Sequence, residues 1–238
     1  MKSFIRKILP YWLYRKITLF IGTHLTHYAK MTYSQEGEDM ILRSFLQKKI
    51  NSNYQGFYVD IGAHHPFRYS NTYFLYKNGW RGINIDATPG SMRSFNLYRK
   101  RDINLEVGIT TEKNPNKTTK DFFIFHDFAL STFDEQIAQE RKKNHSFSHV
   151  AKIRIENINN IFKKYIPKGQ TIDLLTLDTE GLDLEILQDI DWDSFAPQIV
   201  LVETYSDDIF NDPIYNYMLE KNYKLFAKTT LTTFFIKQ

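Results

Sequence analysis

Residues 56–66 read Gly-Phe-Tyr-Val-Asp-Ile-Gly-Ala-His-His-Pro. Phe57, Tyr58, Val59 and Ile61 are aromatic or β-branched and follow one another too closely for a helix face, so the run reads as a buried strand. Asp60 interrupts it with a carboxylate that a core strand tolerates only when something pairs with it. Its position just before Gly62 suggests a strand whose carboxyl end opens onto a polar ligand. Gly62 and Ala63 would let the backbone come close to that ligand. In an open α/β sheet the crevice beyond the strand ends is where nucleotide-like cofactors sit, and this is the candidate cofactor site.

The same grammar recurs outward from this stretch. Ser70-Asn71-Thr72 is expected to cap a helix that ends at Asn78-Gly79, and residues 81–85 read as a second strand ending in Asp86. An acid at that terminus, some twenty residues past a glycine turn, is placed to grip a ribose diol. Pro89 is expected to start the next helix, and residues 103–107 a third strand ending at Gly108. The polar run 110–120 reads as a surface loop, residues 122–125 as an added strand, and residues 133–143 as a helical insertion near the site. Further on, residues 172–177 form a strongly apolar strand running into Asp178-Thr179-Glu180-Gly181, a second acidic terminus followed by glycine. Strand 199–202 ends at Glu203, and strands 223–226 and 232–236 close the chain. Strands alternating with helices and then a terminal hairpin give an α/β fold: a doubly wound, mostly parallel sheet with an antiparallel C-terminal edge.

Composition bounds the function. The 238 residues are 42% hydrophobic and 16% aromatic, enough for one substantial domain with appendages. There is no cysteine, which excludes disulfides and thiolate metal sites and fits a reducing, cytoplasmic setting. The net charge of +4 is carried by the N-terminus: residues 1–35 hold six basic residues and no acid, leaving 25 basic against 27 acidic residues, a net −2, in the remainder. A nucleic-acid partner is therefore disfavoured.

Residues 1–32 form a separate basic, amphipathic arm, with residues 33–238 as the catalytic domain. Phe4, Ile5, Ile8, Leu9, Trp12, Leu13, Ile17, Phe20 and Ile21 recur at helical spacing between Arg6, Lys7, Arg15 and Lys16, and Pro10 interrupts them. The uncharged run is too short and polar to span a bilayer, and Arg15 and Lys16 break any signal-peptide core. Two readings stand: an arm packed on the domain or on a second subunit, making a homo-oligomer, or a peripheral contact with the inner face of the membrane. After the arm, Ser34 is expected to cap a helix with Glu36, Glu38 and Asp39 in its first turn, while Tyr33 and Gln35 suggest a cofactor or substrate contact.

The segments YSQEGED, GFYVDIGAHHP, SNT, GWRGINID, RDINLEVGIT, LST, IDLLTLDTEG and IVLVE, in this order over residues 33–203, resemble the FkbM-type methyltransferases. That resemblance implies a Rossmann-like, seven-stranded class I methyltransferase fold, S-adenosylmethionine as cofactor, and O-methylation of a sugar, sugar nucleotide or glycan, in polysaccharide or natural-product biosynthesis. Methylation of a lipid or other small metabolite, and a non-catalytic cofactor-binding protein, are the alternatives. Members often carry Glu-Pro at Asp86-Ala87 and valine at Thr179; the acids that matter are kept.

The resemblance further implies Asp86 on the ribose, the turn of Asp60, Gly62 and Ala63 with Ser70 and Asn71 on the amino-acid tail, and Glu106 and Gly108 beside the adenine. A dinucleotide site is excluded, since Ala63-His64-His65-Pro66 follows Gly62 where two more glycines are required. A hydroxyl nucleophile needs a proton acceptor, and Asp178, Glu180 and His65, with His64 beside them, are the expected catalytic groups. Asp178 and Glu180 have a plainer alternative role as caps of the next helix. A divalent ion on His65, Asp178 and Glu180 is chemically feasible, but the spacing is no recognised metal signature, and a metal-free base is expected.

Overall fold

The computed structural model describes residues 10–112, 118–204 and 208–238. Residues 1–9 of the expected arm and 113–117 of the expected loop lie outside them. The chain divides into two compact units, Met1–Thr32 and Tyr33–Gln238. In the first, helix α1 (Tyr11–Phe20) begins directly after Pro10, which lacks only an N–H that the first turn does not use. It runs into a π-helical turn, Ile21–Thr26, stopped by His27 and Tyr28 in left-handed conformations.

The second unit opens with α2 (Glu38–Phe45) and α3 (Gln47–Ile50), then alternates β1 (Phe57–Ile61), α4 (Tyr73–Lys77), β2 (Arg81–Asp86), α5 (Met92–Tyr98) and β3 (Ile103–Glu106). A smaller layer follows: β4 (Gly108–Thr110), β5 (Thr119–Phe125), a 3-10 turn (Phe128–Leu130), α6 (Glu135–Arg141) and β6 (Phe147–Asn157). The main alternation resumes with α7 (Ile158–Tyr165), β7 (Leu174–Leu177), α8 (Asp183–Asp189), α9 (Trp192–Phe195), β8 (Ile199–Glu203), a 3-10 turn (Ile209–Asn211), α10 (Pro213–Glu220), β9 (Tyr223–Lys228) and β10 (Thr232–Lys237).

The seven-stranded sheet runs β3-β2-β1-β7-β8-β10-β9, parallel throughout except for β10, which is antiparallel to both neighbours. The order reverses between β1 and β7, so a crevice opens beyond their carboxyl ends. Strands β1 and β7 are buried along their whole length and β8 all but its last residue, which is why they read as near-continuous apolar runs. Alternate residues serve opposite faces. Val59, Ile61, Leu175, Leu177, Val200 and Val202 pack with Ile161, Phe162, Ile186 and Met218 on one side. On the other, Tyr58, Leu174 and Leu201 pack with Leu42, Phe74, Leu75 and Trp80.

Several local expectations are corrected. The third strand breaks at Val107: residues 103–106 pair with β2, whereas 108–110 leave the sheet to pair with β6. The eleven-residue β6 was not expected, because Ser148, His149, Lys152 and Arg154 face solvent along it and only its second half alternates buried with exposed. Pro89 and Gly90 form a turn, Gly90 at φ 82°, and α5 starts only at Met92. Ser34 is not the cap of α2, which has Gly37 at that position; its hydroxyl instead accepts from the Asp39 N–H at 3.0 Å.

Candidate active site

The parallel register places Ile61 beside both Ile85 and Leu177, and Leu177 beside Val202. The residues that follow, Gly62, Asp86, Asp178 and Glu203, therefore meet at one rim. They line a cavity of about 340 Å³, the size of a small-ligand site.

Gly62 is at φ 82°, and a Cβ on it would lie 1.7 Å from the Asp178 carbonyl oxygen. Only glycine permits this approach. The Asp178 N–H donates to the Ile61 carbonyl at 3.0 Å, and the Gly62 and Ala63 N–H groups donate to the Ile85 carbonyl at 2.9 and 3.0 Å. Glycine here thus closes the ends of three strands on one another, besides forming part of the cavity wall.

Asp86 is buried, with Oδ2 accepting from the His64 N–H at 2.8 Å and Oδ1 from the Thr88 N–H at 2.7 Å. The carboxylate is held by two backbone donors and keeps lone pairs toward the cavity. Around it Ile85, Val107, Ile109 and Phe133 supply an apolar slot. A Cβ at Gly108 would strike the Phe133 ring, so that glycine makes room for the slot's wall.

Asp178 lines the cavity and is exposed toward it. Its carboxyl has an oxygen within 4.8 Å of oxygens of Glu203 and Glu180, and loss of hydration together with the charges of Glu203, Glu180 and Asp183 pushes its pKa well above the ordinary carboxylate range. Carboxyl groups this close repel one another when both are charged, which favours the protonated form of Asp178. Glu180 is differently employed: its carboxylate meets the Arg141 guanidinium, and its carbonyl accepts from the Thr132 hydroxyl at 3.0 Å. Burial raises its pKa while Arg141 opposes the rise. Neither acid caps α8, whose N-cap is Leu182; the Thr179 N–H and hydroxyl both donate to Asp183 at 3.0 Å.

Three non-glycine residues with left-handed backbone, His64 (φ 52°), Tyr69 (φ 56°) and Glu180 (φ 56°), border this cavity. Such conformations persist where the surroundings over-determine them, and they gather at functional sites.

Six residues expected at the site lie outside its walls. Asp60 is buried behind the loop, accepting from the Thr72 hydroxyl at 2.6 Å, and burial lifts its pKa to about 6 against the opposing effects of Thr72 and Arg99. Ala63 packs with Met92 and Phe95. The Ser70 hydroxyl accepts from the Tyr73 N–H at 3.1 Å, at the start of α4. Glu106 accepts from the Gly90 N–H at 2.9 Å on the outer side of β3. The His65 Nδ1 accepts from the N–H groups of Phe67 and Arg68 at 3.1 and 3.0 Å, so its ring shapes the loop; His64 is the histidine at the cavity, with burial lowering its pKa below the usual imidazole range. Asn71 donates to the Thr176 hydroxyl at 3.1 Å, and its buried Oδ1 has no hydrogen-bond partner, an unmet need that suits the ammonium of an amino-acid tail.

Asp60 belongs to a buried support centred on Arg99. The guanidinium donates to Asp102 at 2.9 Å, Tyr58 at 2.8 Å, Thr72 at 3.1 Å and the Pro66 carbonyl at 3.2 Å. One side chain thereby fixes β1, the start of α4 and the far end of the Gly62–Pro66 loop, a positioning role that no residue spacing signals.

The smaller layer supplies the opposite wall through Asp127, Phe128, Leu130, Ser131, Phe133 and Arg141. Gln35 and Leu231 close the rim, and the Leu231 N–H donates to Glu36 at 2.8 Å. As for a metal, Asp178, Glu180 and Glu203 each offer an oxygen within 4.8 Å of the others, whereas His65 is not among them.

A sheet in the order β3-β2-β1-β7-β8-β10-β9 with β10 reversed, and an acid-lined cavity at the β1–β7 switch, are the fold and site of an S-adenosylmethionine-dependent methyltransferase. The methyltransferase FkbM domain matches residues 60–225, well over half of the chain, and the protein belongs to that family. Among curated proteins, none matches the sequence. Solved structures to which the chain is similar include monomeric WbdD (TM-score 0.46, 10% identity, 89% of this chain and 43% of that one). They also include a putative RNA methyltransferase from Pyrococcus horikoshii (0.43, 9%, 85% and 83%) and a TehB-like SAM-dependent methyltransferase from Corynebacterium glutamicum (0.39, 11%, 95% and 99%). The chain spans less than half the length of monomeric WbdD.

Proposed function

We propose that the protein methylates a hydroxyl of a sugar, sugar nucleotide or glycan, with the Asp178–Glu203 pair as proton acceptor. The observation that carries this reading is the pair of acids at adjacent strand ends, their oxygens within 4.8 Å of each other and both lining the cavity, with Glu180 already engaged by Arg141. S-adenosylmethionine, when bound, supplies an electrophilic methyl group. Asp86 would hold it through the ribose, with Ile109 and Phe133 beside the adenine. A hydroxyl placed against Asp178 donates its hydrogen bond to the carboxylate, and the O–H proton passes to the pair as the oxygen gains its new bond to carbon.

A neutral, polyhydroxylated acceptor suits this end of the cavity. Asp178, Glu203 and Asp127 disfavour an anionic group beside the reacting oxygen and accept hydrogen bonds from neighbouring hydroxyls. Phe128 and Tyr69, 54% and 42% exposed at the rim, offer apolar ring surface to a pyranose.

The test is to incubate the protein with S-adenosylmethionine and a panel of sugar nucleotides, lipids and small hydroxylated metabolites, following S-adenosylhomocysteine and product mass. A methylated sugar supports the reading; product from the lipids or metabolites alone overturns it. Asp178→Asn and Glu203→Gln should each lower turnover by about 10²–10⁴ with little change in cofactor affinity. Because the base works deprotonated and the Asp178 pKa is raised, wild-type turnover should climb with pH through that raised value, and Asp178→Asn should lose this limb. Activity abolished by a chelator and restored by a divalent ion would instead make these acids metal ligands.

A further inference from the structure

The N-terminal unit takes no part in the chemistry above, and its surface is unlike that of an independent soluble helix. No residue of α1 is buried, and Tyr11, Trp12, Ile17, Leu19 and Phe20 are exposed, followed by Ile21, Leu25, Tyr28 and Met31. Leu13, Ile17, Phe20 and Ile21 fall on successive turns of one face, while Arg15 and Thr18 lie across from them. Lys16 borders the apolar face with its ammonium 5.6 Å from the Trp12 ring centroid, the arrangement of a long cationic side chain lying along an aromatic toward water.

We propose that α1 lies flat in the headgroup region of an anionic bilayer, its Leu13–Ile17–Phe20 face in the acyl boundary and Arg15 and Lys16 at the lipid phosphates. Charge complementarity selects this occupant. Residues 1–35 carry Lys2, Arg6, Lys7, Arg15, Lys16 and Lys30 and no acid, so pairing one arm with another sets cation against cation, whereas an anionic surface answers the charge and the apolar face together. Among the described residues no helix is long and apolar enough to cross a membrane. Tryptophan and tyrosine beside the basic residues are the side chains that favour the interface. The proposal is independent of which acceptor is methylated.

The full chain should sediment with phosphatidylcholine vesicles containing phosphatidylglycerol, far less with phosphatidylcholine alone, and less at high salt. Arg15→Glu with Lys16→Glu should weaken that partition at least about tenfold, and Trp12→Ser should weaken it with every charge intact. Methyl transfer to a soluble acceptor should be unchanged in both variants. Equal binding to neutral and anionic vesicles, or no binding, overturns the proposal. So do variants that leave vesicle binding intact but change the oligomeric state, which would make the arm a subunit contact.

Discussion

Gly62→Ala tests the closure on which the site depends. An alanine Cβ at this position meets the Asp178 carbonyl oxygen at 1.7 Å, and even a 3.0 Å contact requires one backbone to move by about 1.3 Å. The obstacle is main chain, which cannot swing aside as a side chain does. Retreat of Asp178 stretches the 3.0 Å bond from its N–H to Ile61, and retreat of residue 62 strains its bond to Ile85. The left-handed backbone adds roughly 1–2 kcal/mol for any residue with a Cβ. With one hydrogen bond weakened, a loss of about 2–3 kcal/mol in unfolding free energy follows. The kinetic effect should be larger, because a misplacement of about 1 Å between reacting groups costs on the order of 10²-fold in rate. Chemical denaturation and single-turnover methyl transfer measure the two separately. A variant whose stability is within about 0.5 kcal/mol of wild type and whose rate is within threefold would refute the role assigned to this contact.

Asp86→Ala removes the acceptor of the His64 and Thr88 N–H groups as well as the proposed ribose contact, so cofactor affinity in calorimetry should fall by about 1.5–3 kcal/mol. Unchanged affinity removes Asp86 from the cofactor site. Asp60 has a folded pKa of about 6 against 3.8 for a free side chain, so the folded state binds its proton more tightly. The stability this confers is full below pH 3.8 and is lost as pH rises through about 6. From pH 4 to 7 the apo-protein should therefore lose stability relative to Asp60→Asn, by on the order of 3 kcal/mol if the group acts alone. Parallel pH–stability curves for the two proteins would show that Asp60 titrates normally.

Much of this architecture is local information. The apolar runs at 57–61, 174–177 and 199–203 announce central strands because each is buried on both faces, and an acid or glycine at each end announces where the sheet stops and the polar crevice begins. Asp86, Asp178, Glu180, Gly62 and Gly108 were legible on that ground, and all five border the cavity. Tertiary structure decided between neighbours. His64 and His65 are equivalent in sequence, but the left-handed backbone at His64 turns one ring to the cavity and leaves the other to bond the loop. Glu203 becomes the partner of Asp178 only because β8 lies beside β7 in register, and Arg141 reaches Glu180 only because the layer containing β4, β5 and β6 folds back over the strand ends. Pairing across parallel strands joins residues separated by whole crossover helices. Local patterning therefore specified that acids stand at the strand ends, and the packing of distant segments decided which acid stands beside another acid and which is held by a cation.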